Sequence, residues 1–195
     1  RTRRGSRQLS VFVPTADGHQ ALITKFIRAQ EPPPELERSP TAIACYVALI
    51  PFLEDALLDS SLDVWNTSDS FLDLCAGDEE EHAVLLCNYL LALNKEAYVI
   101  LGDAFPEGAT CYVMVYEGAG RRILYNACTG KSWSVDDPLC PLVSVGCVVN
   151  STNVWANVQD VEKPVDVAWA LADEKAWRPF FGGRGGFDQP EFLAS

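Results

Sequence analysis

The residues best suited to chemistry lie in one short segment, AGDEEEHAVLLCNYLLAL, which occupies positions 76–93. Four consecutive acids run into His82 and then into an apolar stretch. The apolar spacing predicts a helix whose N-cap is Asp78, with Glu81 completing a capping box three residues later. An acid at the mouth of an apolar helix could act as a base, a metal ligand or simply a helix-stabilising charge.

Helical phase separates the acids of this segment from one another. At ~100° per residue, Glu79 lies on the same face as Ala83 and Leu86, whereas Glu80 and Glu81 point away from that face. We therefore expect Glu79 to face inward in the first turn, beneath free backbone N–H groups and the positive end of the helix dipole. Enzymes often place an activated nucleophile at such a position.

Two interpretations of this helix start need no catalysis by cysteine. In the first, the acids only stabilise the helix N-terminus, by a few tenths of a kcal/mol each. In the second, Glu79 and His82 form the Glu-x-x-His pair of a carboxylate metal site. That site needs a second pair, and His19 is the only other histidine in the chain, so we predict no metal and no other cofactor.

Two further interpretations are catalytic in origin. A nucleophilic Cys111 or Cys128 could use His82 as its base. Alternatively, the order along the chain could reflect a nucleophile at the start of a core helix, a base at the start of a following strand and an orienting acid after the next strand. Those three positions here are Glu79, Thr110 and Asn126.

The surrounding sequence predicts an α+β fold in which a core helix leads into an antiparallel meander. A hairpin is expected over 9–27 around an Asp-Gly turn. Ser39 and Pro40 mark the start of a helix, and a short second helix is expected near 69–75, with Thr67 or Ser68 as its cap. The expected strands are 97–101, 111–116, 122–126, 142–149, 153–160 and 165–171, followed by a short helix at 173–181.

Composition limits the possible partners and compartments. The net charge of −12 repels phosphate, so nucleic acid is not an expected partner. Seven cysteines without a CxxC pair suggest a reduced compartment. The longest apolar run, 42–50, is too short to span a bilayer. We expect an arginine-rich linker at 1–8, one domain over 9–181 and a flexible glycine-rich tail over 182–195.

The sequence resembles the C-terminal domain of the ciliary coiled-coil and C2 domain-containing protein 2A family. The matching segments are IPFL (50–53), VWNTSDSFLDLCAGDEEEHAVLLCNYLLAL (64–93), GDAFPEGATCYVMVYE (102–117), LYNACTG (124–130), CPL (140–142), VGC (145–147), NVWANVQ (153–159) and WRPFF (177–181). The resemblance implies a transglutaminase-like, papain-related fold. In active members of that fold the three positions matched by Glu79, Thr110 and Asn126 are cysteine, histidine and aspartate.

The resemblance therefore implies a pseudoenzyme, because the three residues present cannot perform the chemistry of a Cys-His-Asp triad. It further implies a scaffold at the ciliary transition zone and basal body, in the cytoplasm and cytoskeleton. Its partners would be other transition-zone proteins, and its degenerate cleft, near His82 and Trp65, could hold a peptide such as a tubulin tail. The alternative is a weak or rewired amide hydrolase that uses Glu79 as general base.

Overall fold

The computed structural model describes residues 11–53 and 64–182. The linker predicted at 1–8 lies outside the described residues, as does the predicted tail apart from Gly182. The described chain begins with a hairpin of β1 (Phe12–Pro14) and β2 (Gln20–Leu22). This is the centre of the hairpin predicted over 9–27, but its C-terminal part, Ile23–Phe26, is a 3-10 helix and not a strand.

Three α-helices follow within the described residues, and each begins at a side chain that caps it. Helix α1 spans Pro40–Val47, α2 spans Ser68–Leu74 and α3 spans Glu79–Ala92. The Ser39 hydroxyl accepts the N–H of Ala42 at 3.2 Å, and the Thr67 hydroxyl caps α2 in the same way. These caps satisfy backbone donors that the helices cannot satisfy themselves. No helix in the described part of the chain is long and apolar enough to cross a bilayer.

A seven-stranded antiparallel sheet forms most of the rest of the described chain. Its strands are β3 (Glu96–Ala104), β4 (Gly108–Glu117), β5 (Arg121–Tyr125), β6 (Ser132–Ser134), β7 (Leu142–Val149), β8 (Val154–Asn157) and β9 (Trp177–Pro179). Their spatial order is β6-β5-β4-β3-β7-β8-β9, so the two longest strands, β3 and β4, lie near the centre. The predicted strands at 97–101 and 111–116 lie within this sheet, and the one at 122–126 does so except for Asn126, which follows β5.

Both faces of the sheet are covered, so the protein has two apolar cores. Alternation along β4 sends Cys111 and Val113 to the face that packs on α3, and Tyr112 and Met114 to the opposite face. The second core is completed by the segment before β9, including Trp169. Odd-numbered and even-numbered side chains of β4 therefore lie on opposite faces of the sheet. Only the odd-numbered ones, on the face that packs against α3, are directed towards that helix.

The segment 165–181 differs from the sequence prediction. Residues 165–171 form turns and irregular backbone where a strand was expected, and β9 replaces the expected helix over 173–181. Two indoles hold the segment in place: Trp169 donates to the Pro164 carbonyl at 3.0 Å, and Trp177 donates to the Ala168 carbonyl at 2.7 Å. Tertiary hydrogen bonds and burial of the indoles thus override the local helical preference.

Candidate functional site at the start of helix α3

Helix α3 begins in the capping box expected from the sequence. The Asp78 carboxylate accepts the N–H of Glu80, and the Glu81 carboxylate accepts the N–H of Asp78, both at 3.1 Å. These contacts occupy backbone N–H groups that could otherwise bind a substrate or stabilise a thiolate. The positive end of the helix is therefore partly neutralised by the protein's own carboxylates.

Glu81 is buried, which corrects the prediction that it points away from the apolar face. Only 3% of it is exposed, and its Oε1 accepts the backbone N–H of Asn66 at 2.9 Å and the Asn66 side-chain amide at 3.3 Å. Helical phase failed here because α3 is enclosed on all sides: every residue from Glu81 to Leu90 is buried. Burial, assisted by the neighbouring Asp78, raises the pKa of Glu81 to about 8.

Two thiols lie near the acids that open α3. Burial raises the pKa of Cys111 well above its usual value, and the charges of Glu80, Asp78 and Glu79 act in the same direction. Burial also raises the pKa of Cys128 to about 12, again assisted by Glu79 and its neighbours. At pH 7 a thiol of that pKa is a thiolate in roughly one molecule in 100,000. The helix dipole, which alone would favour a thiolate, is overruled by burial and negative charge.

Strand alternation gives Thr110 and Asn126 the parity of the residues on the sheet face opposite α3. Thr110 shares the parity of Tyr112 and is buried on the face away from α3. The Asn126 amide donates to the Tyr112 hydroxyl at 3.3 Å and lies 3.5 Å from Glu107. The assignment of the three positions as relics of a catalytic triad therefore stays a prediction.

Cys111 is the β4 residue that faces the start of α3, in place of Thr110. The sequence contains a signal for this, because strand alternation in CYVMVY gives Cys111 the parity of the valines on the core face. Glu107, in the hairpin between β3 and β4, also contributes negative charge near Cys128, although no motif in the sequence indicates this. Its position depends on Gly108, which turns the chain with φ +84°.

His82 is not available as a catalytic base. It is fully buried, with Nδ1 2.6 Å from the Asp78 carbonyl and Nε2 3.0 Å from the Ile50 carbonyl. Its ring packs against Phe71 at 4.8 Å between centroids. A base must direct a nitrogen lone pair at the thiol, but both ring nitrogens of His82 face backbone carbonyls. The Glu79–His82 pair is, for the same reason, not arranged as a metal-ligand pair.

Trp65 is also an interior residue, so it does not line an open cleft as the sequence predicted. Only 4% of it is exposed, and it packs edge-on against Phe26 at 5.6 Å. The reason is that residues around 64–67 fold over the start of α3, where Asn66 binds Glu81. Trp65 and His82 thus belong to the core on either flank of the helix start.

Asp78, Glu79 and Glu80 place their carboxylates within 4.8 Å of one another. Three carboxylates are compatible with a hard cation, but Asp78 already caps the helix. The described site therefore contains acids, protonated thiols and an imidazole whose two nitrogens both face backbone carbonyls. Such a set can bind through charge and shape, whereas acyl transfer requires an activated nucleophile with a base beside it.

The CEP76 peptidase-like domain matches residues 63–180, which include α2, α3 and the whole seven-stranded sheet. The chain belongs to this family. The CEP76 peptidase-like domain is the part of the chain that contains the candidate site at the start of α3.

Relatives of this CEP76 peptidase-like domain occur in animal proteins. The chain is 35% identical to human Protein CC2D2B over 89% of its own length, and 30% identical to the Drosophila melanogaster Coiled-coil and C2 domain-containing protein 2A over 91%. It is 32% identical to the Xenopus tropicalis Centrosomal protein of 76 kDa over 59%. The resemblance found in the sequence is confirmed. The chain spans only 13%, 14% and 19% of these three proteins, respectively.

Solved structures show that the CEP76 peptidase-like domain has the transglutaminase-like, papain-related fold, as predicted. Calcium-bound LapG of Legionella pneumophila matches with a TM-score of 0.53 and 13% identity, over 70% of this chain and 76% of that chain. EGTA-treated LapG matches with a TM-score of 0.51 and 14% identity, over 60% and 64%. At such low identity the likeness concerns the α+β fold alone.

Proposed function

We propose that this domain is a non-catalytic, transglutaminase-like module that binds other proteins and thereby supports cilium assembly. One observation carries the proposal: the thiols and the imidazole near the start of α3 are all blocked from chemistry. The nearby thiols are protonated, and both nitrogens of His82 face carbonyls. A fold that retains its core while its reactive groups are blocked is suited to binding.

The relatives support a location at the cilium base. One relative is named a centrosomal protein, and the family resemblance implies the transition zone and basal body, within the cytoplasm and cytoskeleton. Because the chain spans a small part of each relative, the role of the whole protein is part of the proposal. We infer that its partners are other proteins of a transition-zone complex.

Charge argues against polyglutamylated tubulin tails as the ligand at the α3 start. Glu79, Asp78, Glu80 and Glu107 all act on Cys128 with negative charge, and the chain carries a net charge of −12. An acidic tail would meet repulsion both near this site and from the protein as a whole. We therefore do not propose an acidic tail as the ligand at the start of α3.

An activity assay tests the proposal directly. The purified chain is incubated with a glutamine-containing dipeptide and hydroxylamine to detect transamidation, and with casein to detect amide hydrolysis. We expect no turnover above buffer, because a thiol with a pKa of about 12 supplies almost no nucleophile near neutral pH. The Cys111→Ser and Cys128→Ser variants should be indistinguishable from the parent chain.

Turnover that either cysteine substitution abolishes would overturn the proposal in favour of a cysteine enzyme. Turnover that survives both substitutions but is lost in Glu79→Gln would support the alternative, a hydrolase with Glu79 as general base. Glu80→Gln is the matched control for that variant, because Glu80 is adjacent, half-buried and equally charged.

A further inference from the structure

The two outer strands of the sheet end in different ways, and β9 is closed to further pairing. Phe180 donates its N–H to the Val154 carbonyl at 2.8 Å. Because backbone hydrogen bonding alternates along an antiparallel pair, the backbone groups of Trp177 and Pro179 point away from β8. The Trp177 N–H donates to the Asp173 carbonyl at 2.9 Å, and proline has no N–H. The outer edge of β9 therefore offers no free backbone donor, which is a common protection against edge-to-edge pairing.

The outer edge of β6 has no such protection. Asn126 donates its N–H to Lys131 at 3.0 Å, so alternate residues bond to β5, while Ser132 and Ser134 direct their backbone groups outward. The Ser134 carbonyl accepts the N–H of Asp137 at 3.0 Å. The N–H and carbonyl of Ser132 and the N–H of Ser134 remain on the open edge, and no described strand pairs with β6 on that side.

A groove of about 450 Å³ adjoins this edge on the helix side of the sheet. Ile123 and Tyr125 of β5 form an apolar part of its lining, and hydroxyls of β6 and α1 add polar groups. A strand added to β6 could send alternate side chains into this groove. The lining residues are Thr41, Glu117, Arg121, Ile123, Tyr125, Ser132, Trp133, Ser134 and Asp137.

The charges of the groove select a cationic occupant. Two of its three charged residues are acidic, and its one cation, Arg121, pairs with Glu117 at 3.1 Å. The negative charge of Asp137 is not offset by a cation in the groove lining. A second copy of this chain would bring another net charge of −12, so charge disfavours self-pairing as well as acidic peptides.

We propose that the outer edge of β6 binds an extended, lysine- or arginine-containing segment of a partner protein as an additional strand. Backbone bonds to Ser132 and Ser134 would hold the segment, and Asp137 would attract its basic side chains. The proposal rests on the proposed function in that it names a binding surface and a class of partner for a protein-binding module. It assigns that surface to the outer edge of β6 and not to the start of α3.

Fluorescence polarisation with short labelled peptides tests the proposal. The probe is acetyl-(Lys-Val)3-amide, and its comparators are the (Glu-Val)3 peptide and a (Lys-Val)3 peptide methylated at alternate backbone nitrogens. We expect the whole chain to bind the first peptide at least tenfold more tightly than either comparator. Methylation blocks backbone pairing, whereas glutamate reverses the charge complementarity.

Proline substitution at the edge provides the matched pair of variants. Ser134→Pro removes an outward N–H, and we expect it to weaken binding of the lysine peptide at least tenfold; Ser134→Ala retains the N–H and should bind like the parent. Asp137→Asn keeps the side-chain oxygen that accepts the Leu139 N–H and should weaken binding about threefold through lost charge alone. This last variant keeps the test decisive if the proline variant is destabilised.

Equal binding of the methylated or glutamate peptide would overturn the inference, as would undiminished binding by both Ser134→Pro and Asp137→Asn. A concentration-dependent dimer in sedimentation that Ser134→Pro abolishes would identify a second copy as the occupant and overturn the assignment of a cationic peptide. Thiol- or Glu79-dependent turnover with the expected peptide binding would overturn the proposed function alone. Absent turnover together with absent peptide selectivity would overturn this inference alone.

Discussion

The start of α3 and the outer edge of β6 present opposite combinations of reactivity and access. The α3 start holds residue types of an active site, including Cys111 and His82, yet burial and negative charge suppress the thiolate and backbone carbonyls occupy the imidazole. The β6 edge holds two serines with no activated side chain, but its backbone donors face outward. The proposed binding function thus depends on groups that remain accessible, more than on residue types that suggest chemistry.

The contrast is tested most strongly by removing His82. In His82→Ala we expect the free energy of unfolding to fall by about 3 kcal/mol, because the substitution leaves a cavity and removes the imidazole contacts with the Asp78 and Ile50 carbonyls. Urea denaturation measures the change. A role restricted to chemistry would leave stability nearly unaltered.

His19 is the natural control, since it is the other histidine and its side chain is exposed. We expect His19→Ala to change the free energy of unfolding by less than about 0.5 kcal/mol. If His82→Ala also cost less than about 1 kcal/mol, the imidazole would not be a structural part of the α3 start. The comparison between a blocked site and an open edge would then fail.

A second test uses the buried carboxyl of Glu81. Its folded pKa of about 8 exceeds the ordinary value of 4.5, so between these values the folded protein binds more protons than the unfolded chain. The free energy of unfolding must therefore fall as pH rises through this window. We expect a loss of about 1–3 kcal/mol between pH 5 and 8 from this difference in pKa.

The Glu81→Gln variant should reduce this pH dependence, because glutamine does not titrate. Glu80→Gln, one position away and half-buried, should retain it. Urea denaturation of all three proteins at several pH values between 5 and 8 supplies the measurement. Parallel curves for the parent and Glu81→Gln would show that Glu81 is ionised in the folded protein across the window.

Local signals in the sequence predicted the parts of the structure that depend on neighbouring residues. The caps at Ser39, Thr67 and Asp78 are short-range hydrogen bonds that any helix start of this kind requires. The central strands follow from alternating apolar residues in long runs. These features were predictable because they do not depend on which distant segments pack beside them.

Long-range contacts account for what the sequence did not predict. The phase of α3 assigned Glu81 to an outer face, but Asn66 and the surrounding loop cover that face. The helix expected at 173–181 gave way to β9 because the Trp177 indole bonds the Ala168 carbonyl. Similarly, the open edge of β6 follows only from its register with β5, because that register determines which backbone groups point outward. The residue types of Ser132 and Ser134 do not predict it.

A third test concerns the stability of the β6 edge itself, where a small effect is expected at Ser134. Ser134→Pro removes an N–H that no described strand accepts, so we expect the free energy of unfolding to change by less than about 1 kcal/mol. Trp133→Pro removes an N–H that faces Leu124 on β5, together with a ring that packs against Tyr112. It should cost about 3 kcal/mol or more.

Urea denaturation of the two proline variants separates an open edge from a paired one. A large loss in Ser134→Pro would mean that its N–H already has a partner within the protein, and the β6 edge would then be as closed as β9. A small loss in both variants would mean that β6 contributes little to the sheet, so it could not hold an added strand. A small loss of stability in Ser134→Pro together with a large loss in Trp133→Pro is expected only if β6 is paired with β5 on one side and unpaired on the other.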